Sequence, residues 1–228
     1  MIVIGHRGAA GHEPENTLRS FSRALSMQVD WVEFDVQGVD GELLVFHDDT
    51  LERTTNGAGM LAAQTFINLR KLDAGLGEQI PTLTEVLDLI DARISVNIEI
   101  KGPGIADAVD EIIRDYHSRS PAWNGRILVS SFDLSQMQAL ACREREYSLG
   151  LLYSGSCDEA LARALELGAF SIHPALRQIN QELVRKAHSA SLKVLVYTVN
   201  NEKDIVAMQA MGVDGVFSDY PDRVIALK

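Results

Sequence analysis

Short apolar runs alternate along the chain with amphipathic stretches of helical period. The runs predict strands at Ile2–Gly5, Trp31–Val36, Leu43–Phe46, Ser95–Ile100, Ile127–Ser131, Ser148–Tyr153, Phe170–Pro174, Lys193–Thr198 and Gly215–Ser218. The amphipathic stretches predict helices at Thr17–Met27, Leu83–Asp91, Ile105–His117, Leu134–Glu146, Asp158–Leu167, Gln181–Ala190 and Glu202–Met211. Strand and helix in this rhythm predict a parallel sheet with crossover helices. The punctuation agrees. Asp133 stands where an N-cap belongs, and Gly168 and Gly212 follow helices, where a left-handed residue is wanted.

Nine strand candidates compete for eight places in a (β/α)8 barrel. The odd one is Leu43–Phe46. Its connection to Trp31–Val36 is too short for a crossover helix and contains Asp40-Gly41, a hairpin signal. Asp49–Pro81 carries no strong strand or helix pattern, and loops of that length in a compact domain are usually functional. The reading is an α/β fold: one TIM-type barrel domain over residues 1–228, with a small hairpin and loop-rich subdomain inserted at 37–81 after the second strand.

Parity within the strands sets the chemistry. Successive side chains alternate faces, so Glu33 and Asp35 share one face against Val32, Phe34 and Val36. Asn97, Glu99 and Lys101 likewise oppose Val96, Ile98 and Ile100. In a barrel the charged face points inward or to the mouth. Unpaired carboxylates there cost several kcal/mol each, so a cation or paired bases must compensate. Glu33, Asp35 and Glu99 offer oxygen only, which favours Mg2+ or Ca2+, with Mn2+ also accommodated, over zinc. The competing reading is an ion network of these carboxylates with Arg7, Lys101 or Arg53.

His6 and His47 each leave a strand, and two such rings suit a paired general base and general acid. Arg7 offers a fork of donors to a phosphoryl oxygen, and Lys101 a second positive charge. In Pro14-Glu15-Asn16-Thr17, Asn16 or Thr17 suits an N-cap, while Glu15 suits the ion or an active-site histidine. Phe132 and Tyr197 end strands and suit either covering a polyol or simple packing; Asp48 and Asp219 stand in supporting positions. His173 is placed at the mouth or in packing, His12 is structural, and His117 and His188 belong to helix surfaces.

Composition narrows the partners. A net charge of −11 excludes nucleic acid and anionic membranes as non-specific partners, while leaving room for a small anionic substrate in a locally basic pocket. Cys142 and Cys157 have no metal-type spacing and read as free thiols of a reducing compartment. With no basic, apolar leader ahead of Gly5, the expectation is a cytoplasmic protein without stable membrane association. A homodimer is the default for its oligomeric state.

The ordered set of His6-Arg7-Gly8, Pro14-Glu15-Asn16-Thr17, Glu33-x-Asp35, His47-Asp48, Asn97-Ile98-Glu99-Ile100-Lys101, Ser130-Ser131-Phe132, Tyr197-Thr198-Val199-Asn200 and Asp214 to Pro221 resembles the glycerophosphodiester phosphodiesterase family, in its short, leaderless bacterial form. The resemblance spans nearly the whole chain. It implies a TIM-type barrel that hydrolyses glycerophosphodiesters to sn-glycerol 3-phosphate and an alcohol, an activity of glycerol and lipid metabolism. It implies catalytic roles for His6 and His47, one divalent cation at Glu33, Asp35 and Glu99, and Arg7 and Lys101 beside the phosphate. It also implies attack by the glycerol 2-hydroxyl to give a cyclic phosphate that water opens. Tyr197 stands where the family's tryptophan is usual, keeping the stacking face and adding a hydroxyl. Three competing readings are a phospholipase acting on lysolipid, an enolising enzyme with the same ion, and a non-catalytic barrel that binds glycerophosphodiesters.

Overall fold

The computed structural model describes residues 1–228. Its strands are β1 (Ile2–His6), β2 (Trp31–Val39), β3 (Glu42–Val45), β4 (Ser95–Ile100), β5 (Ile127–Ser131), β6 (Ser148–Leu152), β7 (Ser171–His173), β8 (Lys193–Val196) and β9 (Gly215–Ser218). All but β3 pair in parallel with their neighbours, and β1 pairs with both β2 and β9, so eight strands close into a TIM-type barrel. The ninth, β3, runs antiparallel on β2 outside the ring. Asp40 (φ 53°) and Gly41 (φ 81°) form the two-residue turn between them. Positive φ at both positions gives the turn whose twist matches a hairpin.

Helices cover the outside: α1 (Leu18–Ser26), α2 (Phe66–Leu69), α3 (Leu83–Ile90), α4 (Ala106–Arg119), α5 (Leu134–Ala141), α6 (Cys157–Glu166), α7 (Gln181–Ser189), α8 (Glu202–Met211) and α9 (Pro221–Ala226). Asp133 caps α5, and Gly168 and Gly212 take positive φ, as their sequence positions predict. The predicted helix to Glu146 stops at Ala141. Past it, Arg143 pairs with Asp110 (3.0 Å) and the Tyr147 hydroxyl donates to Asp110 (2.7 Å), which draws the chain across α4. Two short helices, α2 and α9, go unpredicted because four and six residues are too few to display a period.

The hydrophobic residues divide by strand parity. Val32, Phe34 and Val36 of β2 join Phe21 of α1 in the layer between barrel and helices. Ile4, Leu128, Leu195 and Phe217 fill the barrel interior. The inserted segment has its own cluster around Leu44, Phe46, Leu51, Leu61, Leu69 and Ile80, all buried. Each such side chain contributes about 1.5–3 kcal/mol on burial, which consolidates the loop-rich segment around a core of its own. No helix is long and apolar enough to cross a membrane.

The histidines outside the predicted pair separate by environment. His117 is buried, contrary to the helix-surface expectation, because the segment Pro121–Trp123 turns back over α4 and brings the Trp123 carbonyl to 3.3 Å from His117 Nε2. His188 and His12 lie outside the barrel, paired with Asp214 and Asp222.

His173 lies fully buried inside the barrel, with Nε2 2.9 Å from Ser171 Oγ and its ring against Phe217. Gly150 makes the room, since a Cβ there would stand 2.7 Å from His173 Nε2. Burial pushes the ring's pKa from 6.5 down to about 3. Between those values the unfolded chain binds the extra proton and the folded chain does not, so stability falls as pH drops from about 6.5 toward 3. His173→Gln, which has nothing to titrate, is expected to flatten the pH dependence of the urea midpoint in that window; an unchanged slope refutes the assignment.

Candidate active site

Strand register gathers the polar residues at one end of the barrel. His6 pairs across with Glu33, Glu33 with Asn97, and Asp35 with Glu99. Lys101, Phe132, Tyr197 and Asp219 each follow directly on the end of their strand. This is the C-terminal face, where barrel enzymes carry their chemistry.

The centre is acidic. One oxygen from each of Glu33, Asp35 and Glu99 lies within 4.8 Å of the others, and all three residues are buried. Burial first, then the Asp35 and Glu99 charges, raise the Glu33 pKa well above the usual carboxylate range. Burial and Asp35 push Glu99 up to about 7 against the pull of Lys101. Some compensation comes from the chain. The Arg7 backbone N–H donates to Glu33 Oε2 (3.0 Å), Asn16 Nδ2 donates to Asp35 Oδ2 (3.0 Å) and Lys101 Nζ donates to Glu99 Oε1 (3.2 Å). Arg7 Nε lies 3.2 Å from Asp35 Oδ2 without the alignment of a hydrogen bond. Part of the competing ion network is therefore present, yet Glu33 Oε1, Asn97 Oδ1 and Asn16 Oδ1 stay buried without a donor. Unpartnered oxygens beside crowded carboxylates fit a hard divalent cation and leave a purely internal ion network incomplete.

The loop after β1 makes this geometry. Gly8 (φ 86°) packs so closely on α1 that a Cβ would lie 2.4 Å from Ser20 Oγ. Thr17 is the N-cap of α1, which frees the Asn16 side chain, at φ 57°, to reach Asp35.

Both histidines are held alike. His6 Nδ1 is 2.6 Å from Asp219 Oδ1, and His47 Nδ1 is 2.5 Å from Asp48 Oδ1. An ionised carboxylate only accepts, so each ring donates from Nδ1 and keeps Nε2 for another partner. His6 Nε2 stands 3.9 Å from Glu33 Oε2, at the edge of the acidic centre. Burial keeps the His47 pKa below its ordinary value. Burial of Asp219 pushes its pKa up, but hydrogen bonds with His6 and Asn200 outweigh it and hold the carboxylate ionised. Asn200 Nδ2 donates to Asp219 Oδ2 (2.6 Å), and the Asp219 N–H donates back to Asn200 Oδ1 (2.9 Å).

The substrate-side candidates also meet at the mouth. Phe132 and Tyr197 stand edge to face, ring centroids 6.3 Å apart, and Lys101 Nζ lies 5.9 Å from the Phe132 centroid. Phe132 is 45% exposed, unusual for a phenylalanine that serves packing alone. It also walls a neighbouring groove of about 520 Å3 with Leu134, Leu151 and Tyr153, which neither the acidic centre nor either histidine lines.

Two supporting residues lie outside the predicted site set. Asn200, at the end of Tyr197-Thr198-Val199-Asn200, holds Asp219, and its signal in the sequence is a polar residue soon after a strand end. Arg53, one of the three bases of the competing ion network, bridges Glu15 and Asp48 instead. Glu15 thereby accepts from Arg7 and Arg53 and lies outside the carboxylate cluster of Glu33, Asp35 and Glu99.

Residues 6–223 match the model of the glycerophosphoryl diester phosphodiesterase family. The glycerophosphodiester phosphodiesterase of Caldanaerobacter subterraneus is 38% identical, over 99% of this chain and 97% of its own. That of Bacillus subtilis is 32% identical, over 97% and 84%. Among solved structures, an Oleispira antarctica phosphodiesterase in complex with the product sn-glycerol-3-phosphate superposes with a TM-score of 0.85 at 31% identity, covering 99% of this chain and 96% of its own. The glycerophosphodiester phosphodiesterase of Thermotoga maritima superposes with a TM-score of 0.84 at 26% identity, covering 100% and 99%. The barrel, the motif order and a match over nearly its full length make this chain a member of the glycerophosphoryl diester phosphodiesterase family, and an enzyme.

Proposed function

We propose that this chain hydrolyses glycerophosphodiesters to sn-glycerol 3-phosphate and an alcohol, using His6 and His47 as an acid–base pair. The carrying observation is the matched histidines, each with Nδ1 tied to a carboxylate and Nε2 free, at the face that holds the acidic centre. The product bound in the Oleispira relative supports the same substrate class.

Glu33, Asp35 and Glu99 would hold one divalent cation, Mg2+ or Ca2+ with Mn2+ also fitting. When bound, the ion neutralises phosphate charge and stabilises charge growing on its oxygens. The chain's own residues do the rest. Arg7 and Lys101 orient the phosphate, and Phe132 with Tyr197 packs on the glycerol carbons. One histidine takes the proton of the glycerol 2-hydroxyl as it attacks phosphorus, and the other gives a proton to the departing alkoxide. Water then opens the cyclic phosphate with the roles reversed. Asp219 and Asp48 fix the ring orientations and stabilise the charged form of each ring. The hairpin and loops of 37–81 form the inserted unit that delivers His47. The enzyme acts on a small soluble substrate in the cytoplasm, without nucleic acid or a stable membrane partner, and as a homodimer.

The test is release of glycerol 3-phosphate from a panel of glycerophosphodiesters. Glycerophosphoglycerol and glycerophosphocholine are expected to yield it, and a propane-1,3-diol analogue lacking the 2-hydroxyl is expected to resist cleavage. Failure of the whole panel refutes the substrate class; rapid cleavage of the analogue refutes the internal nucleophile.

A further inference from the structure

Arg53 lies outside the set of residues assigned above, on the segment that follows His47. Its guanidinium is engaged on both sides. Nη1 donates to Glu15 Oε2 (2.7 Å) and Nη2 to Glu15 Oε1 (2.8 Å). Nε donates to Asp48 Oδ2, and Nη2 also to Asp48 Oδ1 (2.9 Å). Each carboxylate has a second duty. Asp48 Oδ1 takes the His47 Nδ1–H, and Glu15 Oε1 accepts from Arg7 Nη1 (2.6 Å). One planar cation thus ties the carboxylate that aims His47 to the carboxylate that aims Arg7. The first belongs to the inserted segment and the second to the loop after β1.

We infer that Arg53 is a positioning residue that sets the His47 ring and the Arg7 guanidinium as one unit. The inference rests on the roles proposed above for those two residues. Its side chain is 46% exposed, and exposed ion pairs add little to stability. Two carboxylates each held by two N–H donors nevertheless fix direction, because the donors are coplanar and lysine cannot reproduce the fork. The Arg53 charge and its hydrogen bonds also hold Asp48 far below the usual carboxylate range, so Asp48 stays an acceptor for His47. The effect of Arg53 therefore belongs in turnover more than in the folded state.

The experiment compares Arg53→Ala, Arg53→Lys and His47→Ala by glycerol 3-phosphate release, with thermal melts of each. Arg53→Ala is expected to lose about 10–100-fold in kcat, as supporting residues of this kind do, with little change in melting temperature. Guanidinium chloride at millimolar concentration is expected to restore much of that loss, while leaving Arg53→Lys impaired and the parent protein unaffected. Glu15→Gln and Asp48→Asn share no contact except through Arg53. Their combined effect on kcat is expected to depart about three-fold or more from the product of the single effects when Arg53 is present, and to become multiplicative in Arg53→Ala. Near-parental kcat in Arg53→Ala, no rescue by guanidinium, or the same coupling without Arg53 each overturn the inference. If Arg53→Ala does not fold, an Arg53→Lys protein with parental kcat overturns it and an impaired one supports it. A fully active His47→Ala would overturn instead the acid–base reading on which the inference stands.

Discussion

His6→Ala and His47→Ala are each expected to lower kcat by about 10²–10⁴-fold and to leave the barrel folded. The size follows from losing a proton transfer at the moment charge develops on an oxygen. Both rings lie at the strand ends, away from the apolar layers that carry stability, so thermal melts of the variants should stay close to the parent's. The double variant is expected to lose much less than the product of the two single losses, because the proposed scheme puts both rings in one proton circuit. Leaving-group acidity separates their roles. A nitrophenolate departs without a proton, so the variant lacking the acid loses little on a p-nitrophenyl ester and much on an alkyl ester. Near-parental rates for either single variant on glycerophosphoglycerol would end the paired-histidine scheme. Asp219→Asn and Asp48→Asn should reproduce a fraction of each loss, because an amide can offer its N–H and turn the ring over.

Stripping divalent ions with EDTA is expected to cut turnover by at least about 100-fold, with recovery on adding Mg2+, Ca2+ or Mn2+. The reason lies in the acidic centre as much as in the substrate. Three buried carboxylates share one space with only partial compensation from Arg7, Asn16 and Lys101, and Glu33 Oε1 has no donor. Glu33→Gln and Glu99→Gln should raise the ion concentration needed for half-maximal rate, while calorimetry in the absence of substrate reports the same weakening directly. Full activity in chelator, checked by elemental analysis of the protein, would overturn the ion site and restore the internal network as the role of these carboxylates.

The fold was legible because its signals are local. Eight parallel strands, the hairpin at Asp40-Gly41 and the caps at Asp133, Gly168 and Gly212 each follow from a few adjacent residues. Elements set by distant contacts were not. The end of α5 depends on Asp110 of another helix, and the burial of His117 depends on a turn that folds back over α4.

The candidate site divides in the same way. The sequence by itself determined the inward pairing of Glu33 with Asp35 and of Asn97 with Glu99, because strand parity is a property of the backbone. It also put His6 and His47 at strand ends, and the family motifs are written in those same short stretches. Only the tertiary structure decided which groups hold which. Asp219 meets His6 across most of the chain, and Arg53 bridges Glu15 and Asp48 and leaves the carboxylates of the acidic centre to other partners. His173 went to the barrel interior through the space left by Gly150. Such pairings depend on barrel closure and on side-chain reach between separate strands, and neither is encoded in the residues next to the one in question.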